Sequence, residues 1–154
     1  MIYNFDTGQF FLATKNGIRF VLPLRPKVTV VKGDSATGKT LLWKTIETIK
    51  KTEKDMASEK LAHNIELINR YTDEDKIETL LADSDKLIII DNADMLFRVL
   101  PQLAENIADS AGNHFLVFSR DTADLGVTPN HYGEFYVEGK EIGIKYPFTV
   151  KGWL

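Results

Sequence analysis

Apolar residues recur along this chain in three rhythms. Near the amino end they alternate with polar ones, so that Tyr3 to Phe5, Phe10 to Ala13 and Gly17 to Leu22 read as short strands, since successive strand side chains point to opposite faces. Asp6-Thr7-Gly8 and Asn16-Gly17 between them are hairpin turn signals. A second rhythm, the unbroken apolar run, marks Leu87 to Ile90 as a strand covered on both faces and His114 to Phe118 as a buried-type strand, while the β-branched Val28-Thr29-Val30-Val31 places one over Lys27 to Val31. Ile65, Leu67 and Ile68 place another strand within His63 to Asn69.

The third rhythm is helical. Leu41, Leu42, Thr45, Ile46 and Ile49 predict a helix from about Gly38 to Lys51, and Thr72 or Asp73 caps a shorter one running to Leu81. Met95, Leu96, Val99, Leu100, Leu103 and Ile107 line one side of a further helix, a stripe that reads as core packing. Pro101 within it implies a kink or a shorter helix starting there. Glu134 to Val137 and Glu141 to Tyr146 read as strands around Glu138-Gly139-Lys140. This alternation predicts an α/β fold of three layers: a mostly parallel central sheet, N-terminal β-hairpins and a C-terminal antiparallel strand pair. Ligands would sit at the carboxyl ends of its strands.

Composition narrows the function classes. With 154 residues and 44% hydrophobic content the expectation is a single domain over 1–154. A net charge of −3 gives no general pull toward nucleic acid or anionic lipid, although a local basic patch stays open. There is no cysteine, no signal-like start and no apolar run long enough to span a bilayer, which together predict a cytoplasmic protein. His63, His114 and His131 lack metal-ligand spacing, and no nucleophile elbow occurs.

The chemistry concentrates at Gly33-Asp34-Ser35-Ala36-Thr37-Gly38-Lys39-Thr40, a complete G-x-x-x-x-G-K-[ST] loop followed by Leu41 and set between a predicted strand and a predicted helix. A chance match in a chain this long arises on the order of half a per cent of the time from average residue usage. In such a loop the backbone N–H groups and the helix amino end face a phosphate chain. Lys39 would reach the β- and γ-phosphates, and Thr40 would offer its hydroxyl to Mg²⁺. Asp91, ending the apolar run Leu87 to Ile90, has the form of a second acidic element for the metal's water shell, the alternative being a helix cap or strand-end acid.

The chain resembles a P-loop NTPase of the branch that includes ABC-type and AAA-type ATPases. Gly33 to Thr40 matches the Walker A motif and Leu87 to Asp91 the Walker B motif. Phe115 to Arg120 falls where these families carry a strand whose polar end senses the γ-phosphate, bringing in Ser119 and Arg120. The hairpins before the loop are similar to the small ABC-like fold, whereas Asp91-Asn92-Ala93-Asp94-Met95-Leu96 looks AAA-like. The resemblance implies ATP, or GTP, bound with Mg²⁺.

Two departures qualify this. The Walker B motif is usually followed by a Glu that polarises water; here Asn92 can orient a water but cannot accept its proton. Asp94 is either a substitute acceptor or a partner of the helix amino end. There is no ABC-type signature sequence, so the resemblance is to a minimal form. Arg120 is a γ-phosphate sensor or a surface arginine pairing with Asp121 or Asp124, and Arg98 a solvated helix residue or one serving a neighbouring subunit. The expectation is a weak ATPase, completed by a protein partner or by homo-oligomerisation. A nucleotide-gated interaction module without meaningful hydrolysis is the alternative, and a small-molecule or nucleotide kinase a third.

Overall fold

The computed structural model describes residues 1–32, 38–56, 64–120, 125 and 127–147, with the backbone alone for 53–56. The alternating segments form β1 (Ile2–Tyr3), β2 (Gln9–Ala13) and β3 (Arg19–Pro23). Phe10 and Leu12 of β2 are buried while Gln9, Phe11 and Ala13 are exposed, as a one-sided strand requires. The unbroken runs form β4 (Val28–Lys32), β6 (Leu87–Ile90) and β7 (His114–Ser119), and no residue of β6 reaches solvent. β5 (Ile65–Ile68), β8 (Tyr132–Glu138) and β9 (Glu141–Lys145) complete the strands.

The helices described are α1 (Lys39–Met56), α2 (Glu74–Ala82), α3 (Ala93–Val99) and α4 (Leu103–Asp109). Pro101 divides the apolar stripe between two helices rather than kinking one, as the alternative of a shorter helix starting there expected, because proline cannot supply the N–H a continuing helix needs. Two seven-residue helices result.

The nine strands among the described residues join one sheet in the order β1-β2-β3-β9-β8-β4-β7-β6-β5. This overturns the expectation of a three-layer fold with a mostly parallel central sheet. Five strand pairs are parallel and three antiparallel. The N-terminal strands and the C-terminal pair are not appendages: β3 pairs parallel with β9, and β8 pairs parallel with β4. The sheet is mixed, barrel-like and nearly closed, and it curls until Tyr3 of the edge strand β1 hydrogen-bonds His114 at the start of β7, 2.5 Å away.

Inside the curl, one core cluster is built chiefly by strand side chains, among them Phe10, Leu12, Phe20, Leu22, Leu116, Phe135, Ile142 and Ile144. Its fully buried helical residues are Leu42 and Ile46 of α1. Strands facing strands, more than a layer of helices, fill that side. A second cluster joins the outer faces of β4, β6 and β7 to Ile77, Leu80, Leu96, Leu103 and Ile107 of the shorter helices.

Candidate functional site

Strand register brings the predicted chemistry to one edge. Val31 pairs with Phe118 and Lys32 with Ser119, while Ile90 pairs with Val117. Asp91, one residue past that pair, therefore comes level with Phe118, and Asn92 with Ser119. β4, β6 and β7 run parallel, so their carboxyl ends open on the same side.

Each end is turned by a local device. Gly38, at φ 100°, occupies a conformation that L side chains rarely adopt, and its carbonyl accepts the Leu42 N–H at 2.9 Å, starting α1. Asp91 donates its N–H to Ile68 O at 2.9 Å, extending the ladder by one step. Asn92 then turns left-handed, at φ 49° and ψ 48°, and donates its own N–H to Asp91 Oδ1 at 3.0 Å. Its carbonyl accepts the N–H groups of Met95 and Leu96, both at 3.1 Å, so one residue stops β6 and launches α3.

A cleft of about 370 Å³ lies between these ends, in the size range of small-molecule sites. Lys39, Thr40, Asp91, Asn92, Ser119 and Arg120 all line it. Ser119 is 2% exposed, whereas Arg120 is open to solvent. The Lys39 Nζ lies 5.8 Å from the centre of the Phe118 ring, on the cleft wall. Gly38 and Leu41, expected among the binding residues, are not among the described lining residues, and Leu41 is exposed. Gly33, Asp34, Ser35, Ala36 and Thr37 lie outside the described residues, as do Asp121 and Asp124.

Sequence reasoning did not assign Trp43, Lys44, Glu47 or Phe118 to the site. All four line the cleft, and Trp43 also packs against the inner core cluster. The signal was available: Thr40, Trp43, Lys44 and Glu47 follow the three- and four-residue spacing of one helix face. Asp94 is not among the described lining residues of this cleft. It faces a neighbouring cavity, with Oδ1 buried and lacking a hydrogen-bond partner.

Among the described residues no group of three or more His, Cys, Asp or Glu side chains could hold a metal ion. The hydroxyls of Thr40 and Ser119 and the carboxylates of Asp91 and Glu47 share the cleft with Lys39 and Lys44; of these, Thr40 and Asp91 could hold a Mg²⁺, an ion that commonly takes few protein ligands beside phosphate oxygens and water.

Among the described residues no helix is long and apolar enough to cross a membrane. No family model, no curated protein and no solved structure matches the chain.

Proposed function

We propose that the cleft binds a nucleoside triphosphate, ATP or GTP, with Mg²⁺, and that hydrolysis is slow or depends on a partner. The observation that carries this reading is the convergence of Lys39, Thr40, Asp91, Asn92, Ser119 and Arg120 on one cleft at the carboxyl ends of three parallel strands. Lys39 and Lys44 would neutralise phosphate charge, and the first turn of α1 would present N–H donors. Thr40 and Asp91 would hold the metal, whose chemistry when bound is to draw charge from the bridging phosphate oxygens. Asn92 and Ser119 would orient a water, and the Arg120 guanidinium would fork onto terminal oxygens.

One observation favours the second reading, an interaction module gated by nucleotide without meaningful turnover. The carboxylates among the described lining residues are Asp91 and Glu47. Asp91 is committed to the metal, and Glu47 stands about 12 Å along α1 from Lys39, given the rise per helical residue. A proton acceptor beside the attacking water is then left to a partner.

Titration of fluorescent ATP and GTP analogues against wild type and Lys39→Ala tests the reading. Binding is expected to fall at least tenfold in the variant, and equal binding by both proteins would overturn the proposal. Phosphate release from wild type with and without added partners then separates slow hydrolysis from none.

A further inference from the structure

A second cavity, of about 630 Å³, adjoins the first and shares Asp91, Asn92 and Arg120 with it. Its other walls come from the turn after β5 and from the exposed side of α3. The turn is rigidly built: Asn69 Oδ1 accepts the Tyr71 N–H at 2.9 Å, and Asn69 O accepts the Thr72 N–H at 3.0 Å. Arg70 and Tyr71 are thereby held at its tip, the Arg70 guanidinium 4.8 Å from the Tyr71 ring centre. Tyr71 is 75% exposed, and its hydroxyl accepts a hydrogen bond from the Arg70 guanidinium.

Three guanidiniums, those of Arg70, Arg98 and Arg120, line this cavity. The ion pairs found among the described residues join Arg19 to Glu141, Lys50 to Glu66 and Lys86 to Asp83, and none uses these arginines. Asp94 brings the one buried side-chain oxygen without a hydrogen-bond partner among the described residues. Buried acceptors are rarely left unpaired, so this oxygen calls for a donor from outside the chain.

We infer that this cavity binds a small anionic molecule that also carries a hydroxyl or amino donor: its phosphate or carboxylate on the arginines, its donor on Asp94. Guanidinium forks suit planar or tetrahedral oxyanions, and the volume is that of a small-molecule pocket. A single strand of nucleic acid fits less well, because Asp91 and Asp94 repel a long polyanion and Tyr71 offers one stacking platform rather than a series. The inference rests on the proposed nucleotide site only in placing this ligand beside the terminal phosphate. The charge and shape of the cavity stand without it.

Calorimetric titration with glycerol 3-phosphate, glycerate, inorganic phosphate and glycerol, with and without Mg–nucleotide, tests the inference. Glycerol 3-phosphate should bind saturably, glycerol should not, and glycerate against glycerol 3-phosphate reports which oxyanion is preferred. Exposed arginines can be replaced without unfolding, so Arg70→Gln and Arg98→Gln should each weaken binding about tenfold, one lost charge-assisted hydrogen bond. Wild type should prefer glycerol 3-phosphate over inorganic phosphate, and Asp94→Ala, which removes the acceptor, should erase that preference.

Absence of saturable binding, or equal binding by all variants, would overturn the inference. So would displacement of the probe by nucleotide, which would mean that one ligand spans both cavities, or tight binding of oligothymidylate through the same arginines without binding of the small probes. If Lys39→Ala leaves nucleotide binding intact while the probe results stand, the nucleotide reading fails and this one survives.

Discussion

Asn92 carries two burdens, and they can be separated. Its left-handed backbone suits Asn or Gly and penalises other residues, while its side chain lines the cleft. Asn92→Gly should therefore keep the melting temperature close to wild type yet slow any phosphate release. Asn92→Glu, which supplies the missing acceptor, should cost about 1 kcal/mol of stability from the backbone alone. Denaturant unfolding beside a phosphate-release assay reads both effects. Gly38 presents the opposite case, purely of backbone and space: a Cβ there would lie 2.9 Å from Ile142 Cδ1. Gly38→Ala should lose about 1–2 kcal/mol through its positive φ, with a further loss from the clash. Ile142→Val removes that methyl group, so the double variant should recover part of the loss, measured by a double-mutant unfolding cycle.

At the scale of elements, legibility in the sequence tracked how local the determining physics is. β4, β6 and β7 were readable because strands buried on both faces must be apolar throughout, and the charged or polar residue that ends each run marks where solvent begins. α1 was readable at its start, from Gly38-Lys39-Thr40, but it runs on to Met56, beyond the apolar periodicity that ends at Ile49. The β3–β9 pairing joins Arg19 to Glu141 across most of the chain, and no local signal encodes it. Strand count and strand spacing were thus foreseen while the sheet was not. The same holds for the site: Lys39, Thr40, Asp91 and Ser119 could be nominated from motif and strand ends, whereas Phe118 joins the cleft only through the tertiary arrangement. Leu42 and Ile46 are the hinge of this dependence, since they fix α1, and with it Lys39, inside the curl. Leu42→Ala should destabilise by about 2–5 kcal/mol in urea unfolding, as buried leucine truncations do.

For the molecule as a whole, closure of the curl should be sensitive to acid. Burial holds the His114 imidazole below its ordinary pKa and, with Tyr146 nearby, pushes the Tyr3 phenol up to about 12. The neutral imidazole is thus the form the fold prefers. The unfolded chain takes up that proton more readily, so stability should be full above about pH 6.5 and decline as pH falls toward the lowered folded value. Melting curves between pH 5 and 8 for wild type and His114→Gln check this, the variant showing the weaker dependence. Ligand linkage acts on the same scale: Mg–nucleotide at about a hundred times its dissociation constant should raise the melting temperature by about 5–10 °C. Lys39→Ala, at the same nucleotide concentration, should cut the shift to about half or less.

The bond between β4 and β8 is short. Val30 pairs with Tyr132 and Val31 with Gly133, against five pairs between β4 and β7. Two supports reinforce it, the His131 Nδ1 contact with Val28 O at 2.8 Å and the Arg25 Nε donation to Asn130 O at 3.2 Å. Here the two halves of the sheet are stitched by a narrow seam that runs along β4. Amide protons along that seam should exchange with heavy water sooner than those between β4 and β7. A ligand that drew α1 and the end of β7 together would tighten the sheet on one side of this seam, and a stiffer body would be the readout of an occupied pocket.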